Sequence, residues 1–472
     1  MSEHQQNTKS SVGTWWTARA PMRRGPALAL AVLSAPLFAF AFAGIDIWPL
    51  AFICHVPLLI ALRGQPLARA TWLGLAWGFV TTGIGFYWLV EMLEVFSGFP
   101  LPLCILFAAI LCVYQGGLFA LCTHLYVRAA RRGWPAALVF AGAFAASELL
   151  YPLLFPWFFG ACAHSVPILM QTAELGGPIL VSLVLVAPNL AVYALAEWRL
   201  FGQPLQRRTV GVGASVLLLA LIYGYVRIDQ VDARLATIKP IKVGMVQGNS
   251  KLHDRRGALN VHRRLTVELR KRGADLVVWS EAAIPGAFDK RRYKTQIPRR
   301  VTRGLGVPVV MGGVLYERLS KEERAKHPKG RKARYYNTAL TIDAKGKVLG
   351  RYDKQYLLMF GEYLPFGETF PVLYEMSPNS GAFTPGTSFK PLPLGEHRLA
   401  TMICYEDIIP SFVNKLVAAE DPDLLVNITN DAWFGDTTEP WIHLALAKFR
   451  TVEHRRYLVR VTNSGVSAIV DP

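Results

Sequence analysis

Seven stretches of this chain, 26–43, 45–62, 70–90, 101–127, 134–155, 173–197 and 209–226, are nearly free of charge and dense in Leu, Ala, Val and Phe. Few folds are open to a chain that carries seven such runs in succession. No water reaches the hydrocarbon of a bilayer, so backbone polar groups there must pair internally, and a spanning segment of this kind is a helix of about 20 residues. The hydrophobic share of the 472 residues is 52%, and the excess is confined to 26–226. The first run does not read as a cleaved leader. Six more follow it, and no convincing cleavage site separates them.

Lys and Arg set the expected orientation, because cytoplasmic loops carry an excess of them. Lys9, Arg19, Arg23 and Arg24 precede the first run. The next loop, around Asp46, has no basic residue, the third has Arg63 and Arg69, and the fourth has Glu91 and Glu94 only. The fifth carries Arg128, Arg131 and Arg132, the sixth (151–171) none, and the seventh Arg199, Arg207 and Arg208. This alternation predicts a cytoplasmic N-terminal segment, 1–25, and a transmembrane domain, 26–228, of seven helices. Everything after Lys239 then lies on the far side, the periplasm in a Gram-negative cell. Glu148 and Glu174 fall near the outer ends of their runs. Each either serves function or reaches interfacial water and caps a neighbouring loop. Pro156-Trp157-Phe158-Phe159-Gly160 is expected on the outer side, as belt packing or as a wall of a lipid access groove.

From 239 to 472 the composition is that of an ordinary α/β domain. Strand-like runs at 241–246, 276–279, 307–316, 337–342, 399–403, 424–428 and 458–461 are interleaved with helical patterns such as 260–272 and 442–455. Strands with interleaved helices make a layered α/β fold. The segment 342–348, Ile-Asp-Ala-Lys-Gly-Lys-Val, reads as a hairpin turn. Cys54, Cys104, Cys112, Cys122 and Cys162 lie in the apolar half and read as small packing residues. Cys404 is the only later cysteine, so this domain forms no internal disulfide, and no pair has zinc-ligand spacing. The formal net charge is +18. Its clusters at 290–292, 299–300 and 321–334 read singly as solvated loops and jointly as attraction to an anionic membrane surface. No nucleic-acid motif accompanies them, so nucleic acid is not an expected partner.

The chemistry gathers at element ends. Cys404 follows the apolar run Leu399-Ala400-Thr401-Met402-Ile403 and precedes a helical pattern at 408–419, which exposes a thiol at a strand-to-helix turn. Glu281 ends another strand, Val277-Val278-Trp279-Ser280-Glu281, and Lys354 ends Tyr352-Asp353-Lys354. A thiol, a base and a cation are the parts of covalent acyl transfer. A free thiol is only slightly ionised at neutral pH, so Glu281 is the expected base, partly desolvated to raise its pKa. Lys354, with the backbone N–H of Tyr405, is the expected stabiliser of the oxyanion. Glu362 is placed to pair with Lys354, and Glu406 to orient the thiol's turn or the substrate. Nothing in the sequence calls for a cofactor or a metal.

These residues carry a family resemblance. The second domain, 239–472, resembles the nitrilase or carbon–nitrogen hydrolase superfamily, which implies a Glu–Lys–Cys triad in an α-β-β-α sandwich. The whole chain more specifically resembles the apolipoprotein N-acyltransferases. The motifs are Val246-Gln247-Gly248-Asn249, Trp279-Ser280-Glu281, Phe360-Gly361-Glu362-Tyr363-Leu364-Pro365, Ile403-Cys404-Tyr405-Glu406 and Asn430-Asp431-Ala432-Trp433-Phe434-Gly435. Others are Arg460 to Ser467, with Asn463 and Gly465, and Gly78 to Trp88, Glu148, Pro156-Trp157 and Gln171 in the apolar half. The resemblance implies Glu281 as general base, Lys354 as oxyanion stabiliser and Cys404 as nucleophile, with Glu362, Tyr405 and Glu406 essential or supporting. It implies a phospholipid acyl donor, a thioester intermediate and a diacylglyceryl-apolipoprotein acceptor, at a bacterial inner membrane with the catalytic domain in the periplasm. Ser280 stands where the family usually has Pro, Met359 where Pro is common, and 250–256 lacks a tryptophan that some members have. The family pattern ends in an eighth spanning helix, whereas this sequence stops at Pro472.

Two other readings are weighed against it. A membrane-tethered amidase would share the chemistry but use water as acceptor, and it needs no large apolar half. A transporter with an outer ligand-binding domain needs polar or broken helices near mid-membrane and leaves the triad unexplained.

Overall fold

The computed structural model describes residues 16, 19–250, 255–326, 332–359, 361–364, 366, 367, 369, 370, 372 and 381–472. Lys9, Phe360, Pro365 and the segment 251–254, all named above, lie outside the described residues. The chain divides into two units: residues 1–90 with 102–233, and 91–101 with 234–472.

The first unit is helical. Among the described residues, four helices are each long and apolar enough to cross a membrane: Arg24–Ala41, Leu101–Ala130, Ala173–Phe201 and Arg207–Leu235. Leu67–Gly85 and Leu89–Val95, bent by 61° at their junction, make a fifth if taken as one span. The two remaining apolar runs give shorter helices than the sequence predicts, and prolines are the reason. Run 45–62 becomes a 3-10 turn, Trp48–Phe52, and a separate helix, Val56–Leu62, with Pro49 and Pro57 at their starts. Run 134–155 is helical only over the 15 residues Ala136–Leu150. Pro152 biases Tyr151 away from helical backbone, and Tyr151 is extended. A helix of that length reaches about 22 Å, against about 30 Å of hydrocarbon.

Packing inside this unit follows membrane rules. Gly78 and Gly116 face each other, and a Cβ on Gly78 would lie 2.4 Å from the Gly116 carbonyl oxygen. Small residues let two helix backbones approach this closely. Trp157 and Phe159 are buried and pack against Phe38, so they belong to the interior of the unit and not to an exposed rim. Both carboxylates singled out above have local partners. Glu148 accepts the Phe159 N–H at 2.6 Å, and Glu174 takes two 2.6 Å bonds from Arg227. Buried Glu197 pairs with Arg19 and Arg63, and Tyr193 donates its hydroxyl to it at 3.0 Å.

Among the described residues, the second unit holds two sheets. The first comprises β1 (Val243–Val246), β2 (Leu276–Trp279), β3 (Ala287–Asp289), β4 (Val309–Arg318), β5 (Ala333–Ile342) and β6 (Val348–Asp353), in the order β1-β2-β4-β5-β6 with β3 beside β4. The second comprises β7 (Leu392–Leu394), β8 (His397–Ile403), β9 (Leu424–Thr429), β10 (Leu458–Thr462) and β11 (Ala468–Val470), in the order β11-β10-β9-β8-β7. The strands that matter below, β1 with β2, β8 with β9 and β9 with β10, pair in parallel. Parallel strands buried on both faces read as continuous apolar runs, and that is how the sequence reveals them. The hairpin at 342–348 forms, with Asp343 Oδ1 accepting the N–H groups of Lys345 and Lys347.

Val278, Val310 and Tyr352 of the first sheet share one buried cluster with Met402, Ile403 and Val426 of the second. On its other face the first sheet packs Val277 and Trp279 against Leu265 and Leu269 of α1 (Arg255–Lys271). The second sheet is covered by α2 (Pro410–Glu420) and α3 (Glu439–His454), through residues such as Phe412 and Ala447. The layers are helix, sheet, sheet and helix, the α-β-β-α sandwich expected.

Candidate active site

The two sheets deliver strand ends to one place. β2 is fully buried to Trp279 and is followed by Ser280 and Glu281. Glu281 is 8% exposed. Its backbone N–H donates to the Thr429 carbonyl at the end of β9, 3.3 Å away, which ties one sheet to the other. Gly312 in β4 makes room for this turn, because a Cβ there would lie 2.8 Å from Glu281 Cα and from the Ala282 nitrogen.

Lys354 follows β6 directly and is 1% exposed. Its backbone N–H donates to the Asn337 carbonyl at 2.9 Å. Its ammonium lies 2.7 Å from Glu362 Oε2 and 3.8 Å from Glu281 Oε1. Asn337, on β5, donates Nδ2–H to Glu281 Oε1 at 2.6 Å and to Glu362 Oε1 at 2.8 Å. The Leu358 N–H adds a 2.8 Å bond to Glu362 Oε2. Sequence reading missed Asn337. Its signal is an amide at the start of the apolar run Thr338-Ala339-Leu340-Thr341-Ile342, where a polar side chain needs a partner.

Cys404 directly follows β8 and opens a 3-10 turn, Cys404–Ile408. Its φ of 56° is left-handed, which side chains seldom adopt. Glu406 braces the turn. Its carboxylate accepts N–H groups from Ile403 (2.8 Å), Gln355 (2.7 Å) and Tyr356 (3.1 Å) and the Tyr352 hydroxyl at 2.9 Å. Tyr405 donates its hydroxyl to the Leu357 carbonyl at 2.9 Å, and its ring lies 5.6 Å from the Lys354 ammonium. Glu281, Lys354, Glu362 and Cys404 thus share one buried electrostatic cluster, with Tyr405 and Glu406 at its wall.

Burial sets the charges. It pushes Glu281 up to about 7, against the pull of Lys354 and with help from Glu362. It likewise lifts Glu406 to about 7. It pushes the Cys404 thiol well above its ordinary value despite the nearby Lys354. Lys354 is pulled down by burial, but Glu362, Cys404 and Glu281 outweigh this and hold it charged. A carboxylate lifted toward neutral pH, a neutral thiol and a fixed ammonium can pass one proton and hold one developing negative charge.

A cavity of about 720 Å³ is lined by Asn249, Ser250, Ala432, Asp436, Trp441 and Gly465, among others. Among the described residues, Asp431, Glu439 and His443 bring possible metal-ligand atoms within 4.8 Å of one another. The Arg460 guanidinium, 3.1 Å from Asp431, already supplies positive charge there.

The carbon-nitrogen hydrolase family matches residues 242–472, and the apolipoprotein N-acyltransferase N-terminal domain matches 34–191. The chain is 32% identical over 477 aligned residues to an apolipoprotein N-acyltransferase of Azotobacter vinelandii, covering 95% of this chain and 85% of that protein. It is 29% identical over 456 residues to one of Geobacter metallireducens, covering 94% and 84%. Among solved structures, an amidase from Nesterenkonia sp. aligns with TM-score 0.34 and 20% identity, over 49% of this chain and 82% of that one.

Proposed function

The chain belongs to the apolipoprotein N-acyltransferase family, and from that premise we propose how it carries an acyl chain to its acceptor. It is a membrane-associated N-acyltransferase of lipoprotein maturation. In the proposed reaction Cys404 takes the acyl chain from a membrane phospholipid and passes it to the α-amine of the diacylglyceryl-cysteine that begins an apolipoprotein. The buried cluster of Glu281, Lys354, Glu362 and Cys404 is the observation that carries this reading.

In the first half, Glu281 accepts the thiol proton as sulfur bonds to the ester carbonyl carbon. The carbonyl oxygen becomes an oxyanion beside Lys354, aided by the backbone N–H of Tyr405. The carbon–oxygen ester bond then breaks, and Glu281 returns its proton to the departing glycerol oxygen. The products are a Cys404 thioester and a lysophospholipid. In the second half the acceptor amine attacks the thioester and Glu281 takes its surplus proton. The carbon–sulfur bond breaks and the thiol regains its proton. Glu362 and Asn337 hold Lys354 and Glu281 in place, and Glu406 holds the turn.

The alternating basic loops support an inner-membrane topology with the second unit in the periplasm. Seven crossings require the two shorter helices and the bent pair to count as spans, and a locally thinned bilayer or snorkelling flanking residues accommodate such lengths.

Intact-mass analysis of the protein after incubation with labelled phosphatidylethanolamine tests the donor half. One acyl adduct on Cys404 is expected, absent from Cys404→Ala. Adding a diacylglyceryl-cysteine peptide should discharge it into an amide. Equal discharge in buffer alone, with free fatty acid as the product, would favour a hydrolase.

A further inference from the structure

We propose that Asn427, held by Arg460, is a positioning residue that keeps the Cys404 turn in its left-handed conformation. The proposal rests on the reading of Cys404 as nucleophile. Asn427 lies in the middle of β9, between Met402 of β8 and Arg460 of β10. All three strands are otherwise nearly continuous apolar runs, so an amide and a guanidinium at adjacent register positions need a reason. Both are fully buried.

The contacts supply one. Asn427 donates Nδ2–H to the Cys404 backbone carbonyl at 2.7 Å. Its Oδ1 accepts from Arg460 at 3.1 Å, which fixes the amide in the orientation that donates. Arg460 is itself held at both ends, by Asp407 Oδ2 at 2.9 Å and Asp431 Oδ2 at 3.1 Å. Asp407 is in the same 3-10 turn as Cys404, and its other oxygen lies 2.9 Å from His443 Nε2 on α3. The guanidinium therefore reaches the nucleophile's turn twice, directly through Asp407 and through Asn427.

A left-handed residue that is not glycine is retained only where its surroundings over-determine it. At Cys404 the side chain whose removal would relax this strain is the one the chemistry needs. The turn cannot be eased by substituting glycine, so the backbone must be held from outside. The Asn427 bond captures the carbonyl of the strained residue itself. Without it, the peptide between Cys404 and Tyr405 is free to rotate, which moves the thiol and swings the Tyr405 N–H away from the developing oxyanion.

The test uses the full-length enzyme and single-turnover acylation by labelled phosphatidylethanolamine. Asn427→Asp keeps the acceptor for Arg460 and loses the donor to Cys404. Asn427→Ser shortens the side chain and guards against a variant that misfolds. The expected result is a 10- to 100-fold lower acylation rate constant at saturating donor, with half-saturation and melting temperature little changed (about tenfold per 1.4 kcal/mol of positioning lost). Alkylation of Cys404 by iodoacetamide, which needs no oxyanion N–H, should slow much less than acylation. Wild-type acylation by folded Asn427→Asp would overturn the proposal. So would a loss that appears only as weaker half-saturation, or failure of both variants to fold, which would make Asn427 a folding residue. Cys404→Ala run in parallel separates the two readings. If that variant still forms the adduct, the nucleophile assignment fails and not merely its positioning.

Discussion

At the scale of single residues, the site is a compromise between burial and charge. Glu281 sits near 7 because burial disfavours its anion more than Lys354 favours it. A base works only when deprotonated, so acylation of Cys404 should rise with pH and level off above about 7, falling about tenfold per unit below it. Glu281→Gln should remove this limb of the profile and lower the rate by about 100-fold or more. A wild-type profile flat from pH 5 to 8 would remove Glu281 from the role of base. Lys354 is fixed by Glu362 at 2.7 Å. Glu362→Gln should therefore slow acylation less than Lys354→Met, which removes the charge and should cost about 100-fold or more. Both comparisons read directly from single-turnover rates, with circular dichroism to check that the variants fold.

Elements decide whether those residues meet. Gly312 is the clearest case, since a Cβ there would press on the Glu281 turn at 2.8 Å. Gly312→Ala should cost about 1–3 kcal/mol of stability from overpacking and lower acylation more than a change of similar stability cost far from the site. Gly116→Leu should act on the first unit instead. It forces apart helices that touch at Gly78 and should lower the melting temperature in detergent without altering the pH profile of the folded fraction. Both substitutions test the same idea, that backbone approach and not side-chain chemistry fixes these contacts. The strand ends carrying Glu281 and Cys404 were legible because buried parallel strands are continuous apolar runs punctuated by polar residues. Glu362 beside Lys354 was legible from their spacing. Asn337 and Asn427 were not, and Arg460 was legible as a motif position only and not for its contacts, because a polar residue inside an apolar strand announces a need for a partner without saying which. The short β3, β7 and β11 were missed for a different reason. Three-residue strands carry too little periodicity to stand out from loops. Pro49, Pro57 and Pro152 shortened helices whose apolar runs extend past them, since hydropathy measures what a segment avoids and not whether it can stay helical.

For the whole molecule, the arrangement of basic loops makes a prediction independent of any side-chain contact. An export-dependent reporter joined after Arg234 should be active, and one joined after Arg131 inactive. The reverse pattern would overturn the periplasmic placement and the substrates that depend on it. The order of the chain has a further effect. Glu281 and Lys354 hang from the first sheet and Cys404 from the second, tied by the Glu281 bond to Thr429. A chain made from its N-terminus emerges with its apolar helices first, then the strands that carry Glu281 and Lys354, and the strand that carries Cys404 afterwards. Under the proposed mechanism the chain gains its reactivity toward lipid only once the second sheet has been made and packed on the first.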